Sequence, residues 1–330
     1  MSTRPARADD PTAGGYRAPI WLPGGQLQTI WPALCARPAP PRWQRRRWDT
    51  PDGDFVDVDH IAGRSGAPLL VLFHGLEGSS RSHYARAVAH ACAVAGWSLA
   101  LPHFRGCSGE INHAPRAYHS GDWVEIDWML RRLRRAHAGM MYAAGVSLGG
   151  NALLRWAQES GDAAGAVVAA VAAVSAPLDL AAGAAAIGRG FNRMVYTRMF
   201  LRTLKPKAIA LARRHPGLAD VGAIAAARDL HAFDDAFTAP VHGFADARDY
   251  WQRASAGPRL RDIRVPALVL NARNDPFLPQ RALPSAGDAG PLVQLEQPRH
   301  GGHVGFARGL PPGSIDWMPR RLLAFFDRGS

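Results

Sequence analysis

Apolar runs and amphipathic stretches alternate along most of the chain. Leu69-Leu70-Val71-Leu72-Phe73 is apolar throughout, as expected of a strand buried on both faces. A helix is predicted next, with Tyr84, Val88, Ala91 and Ala95 on one face and Gly96 as its stop. Trp97 to Leu101 reads as a strand. Ser120 reads as the cap of a long helix whose Trp123, Ile126, Leu130, Leu133 and His137 recur at spacings of three and four. Met140 to Val146 is apolar and leads into a helix-like run, Ala152-Leu153-Leu154-Arg155-Trp156-Ala157. Val167 to Val174 reads as a further buried strand. Strand–helix alternation with short connections predicts a mostly parallel, doubly wound α/β sheet. Upstream, Trp43 to Trp48 and Phe55 to Ile61 alternate apolar and polar residues around Pro51-Asp52-Gly53. That is the pattern of an antiparallel hairpin at a sheet edge.

The alternation stops at about Asp179. From there to Arg264 the sequence is helical and loop-like, without a strand pattern. It includes Phe191 to Leu204, Ala208 to Arg213 and the acidic–aromatic stretch Phe233-Asp234-Asp235-Ala236-Phe237. A connection this long inside a compact fold is usually functional, and residues 179–264 are expected to form a helical cap over the strand ends. Val265 to Leu270 resumes the sheet, Leu292 to Leu295 supplies a last strand, and Trp317 to Phe326 is a closing amphipathic helix. The expected organisation is a flexible arm over residues 1–18 and one domain over 19–330. Trp21 to Trp31, apolar and turn-rich, is expected to pack on the body. No internal repeat is visible.

Composition changes this picture little. Hydrophobic residues make up 47% and charged residues 20% of the 330, as in a globular protein. The charge is 39 − 27 = +12, and Lys205 and Lys207 are the only lysines. A basic balance can indicate nucleic acid or an anionic surface. The arginines are scattered, however, and no aromatic platform accompanies them, so nucleic acid is not an expected partner. Cys35, Cys92 and Cys107 form no paired motif. With no apolar core of a signal peptide near the start, they fit a cytoplasmic protein. No dinucleotide fingerprint or phosphate-binding loop appears, and no cofactor is expected.

The chemistry centres on Gly145-Val146-Ser147-Leu148-Gly149, a G-x-S-x-G run between a predicted strand and a predicted helix. The turn is tight enough to demand glycines around a strained serine. It thrusts the Ser147 hydroxyl out of the sheet and turns the Leu148 N–H towards any negative charge that develops there. A serine hydroxyl is a weak nucleophile, so it needs a base, and the base needs an orienting acid. In this arrangement they follow in the order Ser, Asp or Glu, His. Asp275 stands in the loop after the resumed strand, and His303 stands among glycines after the last one. Each has a plainer reading: Asp275 as a turn carboxylate before Pro276, and His300 as a competitor to His303. The His300–His303 pair could also be read as a weak H-x-x-H metal motif, but no third ligand stands at a recognisable spacing. The second oxyanion donor is expected in the loop after the first buried strand. The Leu76 N–H is assigned to it, and His74 is expected to hold that loop by a hydrogen bond. Glu77 reads equally as a residue at the pocket mouth or a solvated carboxylate.

Several of these segments together resemble a known family. They are His74-Gly75-Leu76-Glu77-Gly78-Ser79-Ser80, Arg105-Gly106-Cys107-Ser108-Gly109-Glu110, Gly145 to Asn151, Phe233 to Pro240 and Gly301-Gly302-His303-Val304-Gly305-Phe306, with Trp21-Leu22-Pro23-Gly24-Gly25 and Gln28-Thr29 at the N-terminal end. The chain is similar over roughly residues 20–328 to the YheT-like α/β-hydrolases, which include the animal ABHD1/ABHD3-type lipases and the yeast ethyl-ester synthases. Where the family usually has Asp-Asp-Pro, this chain has Asn274-Asp275-Pro276. The resemblance implies an α/β-hydrolase fold and a serine hydrolase acting on carboxylic esters, short- to medium-chain esters or acylglycerols, with acyl transfer to an alcohol as the alternative chemistry. A binding module that kept the fold and lost the chemistry is the rival from another class. The partner expectation is a small-molecule ester, with peripheral contact with membrane lipid as a further option, in a monomer or small homo-oligomer.

Overall fold

Side chains that alternate along each central strand divide between two cores. The computed structural model describes residues 15–36 and 38–327. Within them eight strands form one sheet: β1 (Gln44–Asp49), β2 (Phe55–Ile61), β3 (Leu69–Phe73), β4 (Ser98–Pro102), β5 (Met141–Val146), β6 (Ala170–Val174), β7 (Ala267–Leu270) and β8 (Val293–Glu296). Their spatial order is β1-β2-β4-β3-β5-β6-β7-β8. β1 and β2 pair antiparallel, as do β2 and β4, and every pairing from β4 through β3 to β8 is parallel. The hairpin therefore closes one edge of a parallel sheet.

Val71, Phe73 and Ala143 point into a core shared with helices α3 (Trp123–Ala136) and α4 (Leu148–Ser160). Leu70, Leu72, Tyr142, Ala144 and Val146 point into the opposite core, which holds α2 (His83–Ala95) and the closing helix Trp317–Asp327. The ring of Tyr142 lies between Trp97 at 5.3 Å and Phe326 at 4.8 Å, both stacked. Such pairs add about 0.5–1.5 kcal/mol each beyond their buried area. Burial on both faces explains why these strands read as unbroken apolar runs.

Local details differ from the sequence reading. The buried stripe of α2 runs through Tyr84, Ala85, Val88, Ala89 and Cys92, and Ala95 is exposed. In an alanine-rich helix small residues fit either face, so the larger ones set the stripe. The cap of α3 is Asp122, whose carboxylate accepts from Glu125 N at 3.4 Å, rather than Ser120. Trp123 is partly exposed, and Ile126, Met129, Leu130 and Leu133 carry the buried face. β6 starts at Ala170, because 164–167 form a helical turn.

Of the expected arm, residues 1–14 lie outside the described residues. Tyr16 is buried: its hydroxyl donates to Ala307 O at 2.6 Å and its ring meets Phe306 edge-on. α1 (Gly24–Leu34) then packs on the loops that follow β7 and β8. Between β6 and β7 the described chain is helical, with α5 (Leu180–Ile187), α6 (Arg198–Arg214), α7 (Val221–Ala226) and α8 (Ala247–Ala254) as its main elements. Asp234 ties this insertion together by accepting from Thr238 Oγ1 at 2.7 Å and Trp251 Nε1 at 2.9 Å. Burial raises its carboxyl to about 6. Asn151 of α4 bonds Ser120 O, Ala254 O and Ala256 N, joining the sheet's central helix to the point where the insertion ends.

Candidate active site

The connections after β3, β5, β7 and β8 meet at the carboxyl ends of the parallel strands, where open α/β sheets place their sites. The one after β5 is the tightest. Ser147 sits at φ 52°, ψ −121°, a region costly for any residue with a Cβ. The strain is imposed by packing. A Cβ on Gly149 would land on the carbonyl oxygen of His74, and one on Gly145 on the carbonyl of Gly149. Ser147 N donates to Val174 O at 2.8 Å, and Ser147 O accepts from Gly150 N and Asn151 N. The backbone is thus held on both sides of the serine by residues of β6 and α4. Leu148 opens α4, whose first N–H groups have no acceptor within the helix.

The loop after β3 lies against this turn. Its His74 is fully buried and is locked as a neutral ring. Nε2 accepts from Phe104 N at 3.0 Å, so Nδ1 carries the proton and donates to Gly75 O at 2.8 Å. Burial is the main cause that lowers its pKa to about 3. His74 is therefore a loop-holding residue. A Cβ on Gly75 would stand 3.1 Å from Ser147 Cβ, so the loop carrying Leu76 runs directly beside the serine. Leu76 and Leu148 line the same cavity as Ser147 and His303.

After β7, Asp275 has a fully buried carboxylate. One oxygen accepts from Phe277 N at 2.8 Å and the other lies 2.8 Å from His303 Nδ1. A carboxylate only accepts, so Nδ1 carries the ring proton and Nε2 is left as an acceptor. Nε2 is 3.1 Å from Ser147 Oγ, within reach of the hydroxyl proton. The Phe277 ring covers the imidazole at 4.2 Å between centroids. Ser147, Asp275 and His303 are thus brought into one chain of contacts from three strand ends. His300 is not part of it: its ring lies beside the Asn274 amide at 3.5 Å.

The residues that hold the histidine loop come from the other end of the chain. Gln28 and Thr29 of α1 are buried. Gln28 Oε1 accepts from Gly301 N at 2.8 Å and Asn274 Nδ2 at 2.9 Å, while its Nε2 donates to Leu22 O. Asn274 Oδ1 accepts from Gly302 N at 3.0 Å. Thr29 Oγ1 accepts from His303 N at 2.9 Å and donates to Gly25 O at 2.7 Å. A Cβ on Gly305 would overlap Gln28 O. Asn274 both donates and accepts here, which an ionised aspartate at that position could not do. The apolar, turn-rich pattern of residues 21–31 puts this segment on the body and says nothing of a role at the site. The Gln28-Thr29 pair in the family resemblance was the available signal.

The cavity above Ser147 is apolar where the insertion faces it, with Leu180, Ile187, Phe200, Leu204, Phe233 and Phe237. Its polar side is Glu77. That carboxylate is mostly buried, accepts from the Tyr118 hydroxyl at 2.9 Å and pairs with Lys207 at 2.8 Å. It is a wall residue rather than a solvated loop carboxylate. Cys107 lies behind it with a thiol pushed up to about 12, chiefly by burial. Arg105 of the same loop is a structural clamp, bonded to Asp54 at 2.9 Å and Glu125 at 2.5 Å. Among the described residues no helix is long and apolar enough to cross a membrane.

Known proteins are similar to this chain. A profile of the α/β-hydrolase fold matches residues 68–309. The Escherichia coli protein YheT, whose name proposes an esterase, is 40% identical over 90% of this chain and 88% of its own. The mouse phospholipase ABHD3 is 25% identical over 94% of this chain and 77% of its own. An esterase from Pyrococcus furiosus has the same fold, with a TM-score of 0.56 at 15% identity over 87% of this chain and 92% of that one.

Proposed function

The chain belongs to the YheT-like α/β-hydrolases, and from that premise we propose that it is a carboxylic ester hydrolase working through an acyl-enzyme on Ser147. The observation that carries this reading is the contact chain Ser147 Oγ–His303 Nε2 and His303 Nδ1–Asp275 Oδ2, at 3.1 and 2.8 Å. Ser147 Oγ attacks the ester carbonyl carbon, and its proton passes to His303 Nε2. The Leu76 and Leu148 N–H groups hold the resulting oxyanion. Collapse breaks the bond to the alkoxy oxygen, which leaves as an alcohol with the proton from His303. Water, deprotonated by the same nitrogen, then releases the acid. Asp275 stays ionised, fixing the tautomer and stabilising the imidazolium.

Residues 179–264 act as a cap whose apolar inner wall receives the acyl chain. Short- to medium-chain esters or acylglycerols are the substrate class, and no cofactor takes part. The buried free thiols Cys92 and Cys107 suit a reducing compartment, and the cytoplasm is the proposed location. The test is hydrolysis of p-nitrophenyl esters from acetate to palmitate by the wild type and Ser147→Ala. The expected loss is about five to six orders of magnitude in kcat. Substantial turnover by a purified, folded Ser147→Ala would overturn the reading, and the optimum chain length sizes the acyl wall.

A further inference from the structure

One face of the insertion is not used by this chemistry. From Leu180 to Ala219 the chain has no Asp or Glu, yet it carries Arg189, Arg193, Arg198, Arg202, Lys205, Lys207, Arg213 and Arg214. The first four are exposed, and among the described residues none is ion-paired. Arg45 and Arg47 of the edge hairpin, by contrast, are paired with Asp59 and Asp57. Between the free arginines stand Phe191, Met194 and Met199, which are 46%, 58% and 46% exposed. A π-helical turn, Arg193–Thr197, runs through the stretch, an irregularity that helices often keep at working sites. Ile187, Phe200 and Leu204, on the same stretch, line the cavity above Ser147. The exposed face and the cavity are therefore about one helix diameter apart, roughly 10 Å.

Large apolar side chains among unpaired cations need a partner that offers both anions and hydrocarbon. A second copy meeting the same face would set arginine against arginine. A nucleic acid would satisfy the arginines but gain little from two methionines, which do not stack bases as aromatic rings do. A lipid surface with anionic headgroups fits both parts.

We propose that this face docks on an anionic lipid surface. Phe191, Met194 and Met199 enter the boundary between headgroups and acyl chains, and Arg189, Arg193, Arg198 and Arg202 engage lipid phosphates. This names a membrane leaflet as the source of the ester. Only that consequence rests on the ester-hydrolase reading; the docking itself does not.

The test is cosedimentation of full-length Ser147→Ala protein with phosphatidylglycerol–phosphatidylcholine vesicles and with phosphatidylcholine alone. Binding is expected to the anionic vesicles only. Arg189→Glu, Arg193→Glu, Arg198→Glu and Arg202→Glu together should weaken it about a hundredfold or more. Phe191→Ser, Met194→Ser and Met199→Ser together should weaken it about tenfold. Both sets, made with Ser147 intact, should turn over a soluble short-chain ester at the wild-type rate, which also shows that they fold. Protein that stays in the supernatant at low salt overturns the proposal, as does binding that either set leaves unchanged. Vesicle binding by a chain that hydrolyses no ester would sink the hydrolase reading and leave the docking standing. Ester turnover without vesicle binding would do the reverse.

Discussion

Two turns face each other across the site, and they are held in opposite ways. The serine turn is locked by its own glycines and by the strand ends beside it in the sheet, at His74 and Val174. Gly145 and Gly149 stand where no Cβ would fit, and Gly150 N and Asn151 N bond back to Ser147 O. The histidine loop has glycines too, but its backbone bonds reach Gln28 and Thr29, more than 270 positions earlier. One turn is specified by its own glycines and the strands that flank it. The other is specified only once the N-terminal helix has docked. A site whose two halves have different supports should fail in two different ways.

The largest effect should come from breaking the close packing of the serine turn against the loop after β3. Gly149→Ala puts a Cβ on the His74 carbonyl, a backbone atom that cannot step aside. We expect a loss of about 3 kcal/mol or more in stability together with loss of activity, read from urea midpoints and ester turnover. A stable, active Gly149→Ala would show that the turn is not sterically set.

Breaking the remote support should separate activity from fold. Gln28→Ala leaves the Gly301 N–H and the Asn274 amide without their shared acceptor. The cost is about 1–3 kcal/mol in stability. The kcat should fall about 10- to 100-fold with KM nearly unchanged, because the histidine shifts while the acyl wall does not. Equal changes in kcat and KM would mean that α1 shapes the pocket instead. Thr29 should show a smaller effect of the same kind. Thr29→Val removes the acceptor for His303 N, while Thr29→Ser keeps it. The valine variant should lose about tenfold in kcat and the serine variant should recover most of it; equal activities would remove Thr29 from the positioning set.

The smallest effect concerns the loop between the two halves. The pKa of His74 is lowered from 6.5 to about 3, first by burial. The native state keeps the ring neutral while the unfolded chain can protonate it. Its contribution to stability is therefore complete above about pH 6.5 and is lost progressively as pH falls towards 3. His119 and His242, lowered to about 3 and about 2 for the same leading reason, add the same sign. Asp234 and Glu125, raised to about 6 and about 7 chiefly by burial, oppose this by taking up protons more readily in the folded state. The three rings outweigh them, so the urea midpoint should drop between pH 7.5 and 5.0 and recover on returning to pH 7.5. A midpoint that rises on acidification would contradict neutral buried rings.

The hairpin edge, the buried parallel strands, the serine turn and the strandless insertion were legible in the sequence. Each is written in neighbouring residues, as alternation, an apolar run, a G-x-S-x-G spacing or the absence of a strand pattern. Asp275 and His303 were legible as positions after strands. Between His300 and His303, residue type could not decide. Asp275 Oδ2 and Ser147 Oγ both lie against the His303 ring, which they reach only once β5, β7 and β8 stand in one sheet with β6 between β5 and β7. The end of the α2 stripe and the cap of α3 were misplaced because alanine and serine are compatible with several local arrangements.

By itself, then, the sequence determined the elements whose causes are local, the glycines of the serine turn and the two-residue period of the strands, together with the chain order of Ser147, Asp275 and His303. The tertiary structure alone decided what depends on remote partners. It made Gln28 and Thr29 the holders of the histidine loop, buried Glu77 against Lys207 in the cavity wall, and left four arginines unpaired beside three exposed apolar side chains. The physical reason is range. Steric exclusion and helix or strand periodicity act between neighbours along the chain. Hydrogen bonds, ion pairs and exposure are settled by whichever residues the fold brings together.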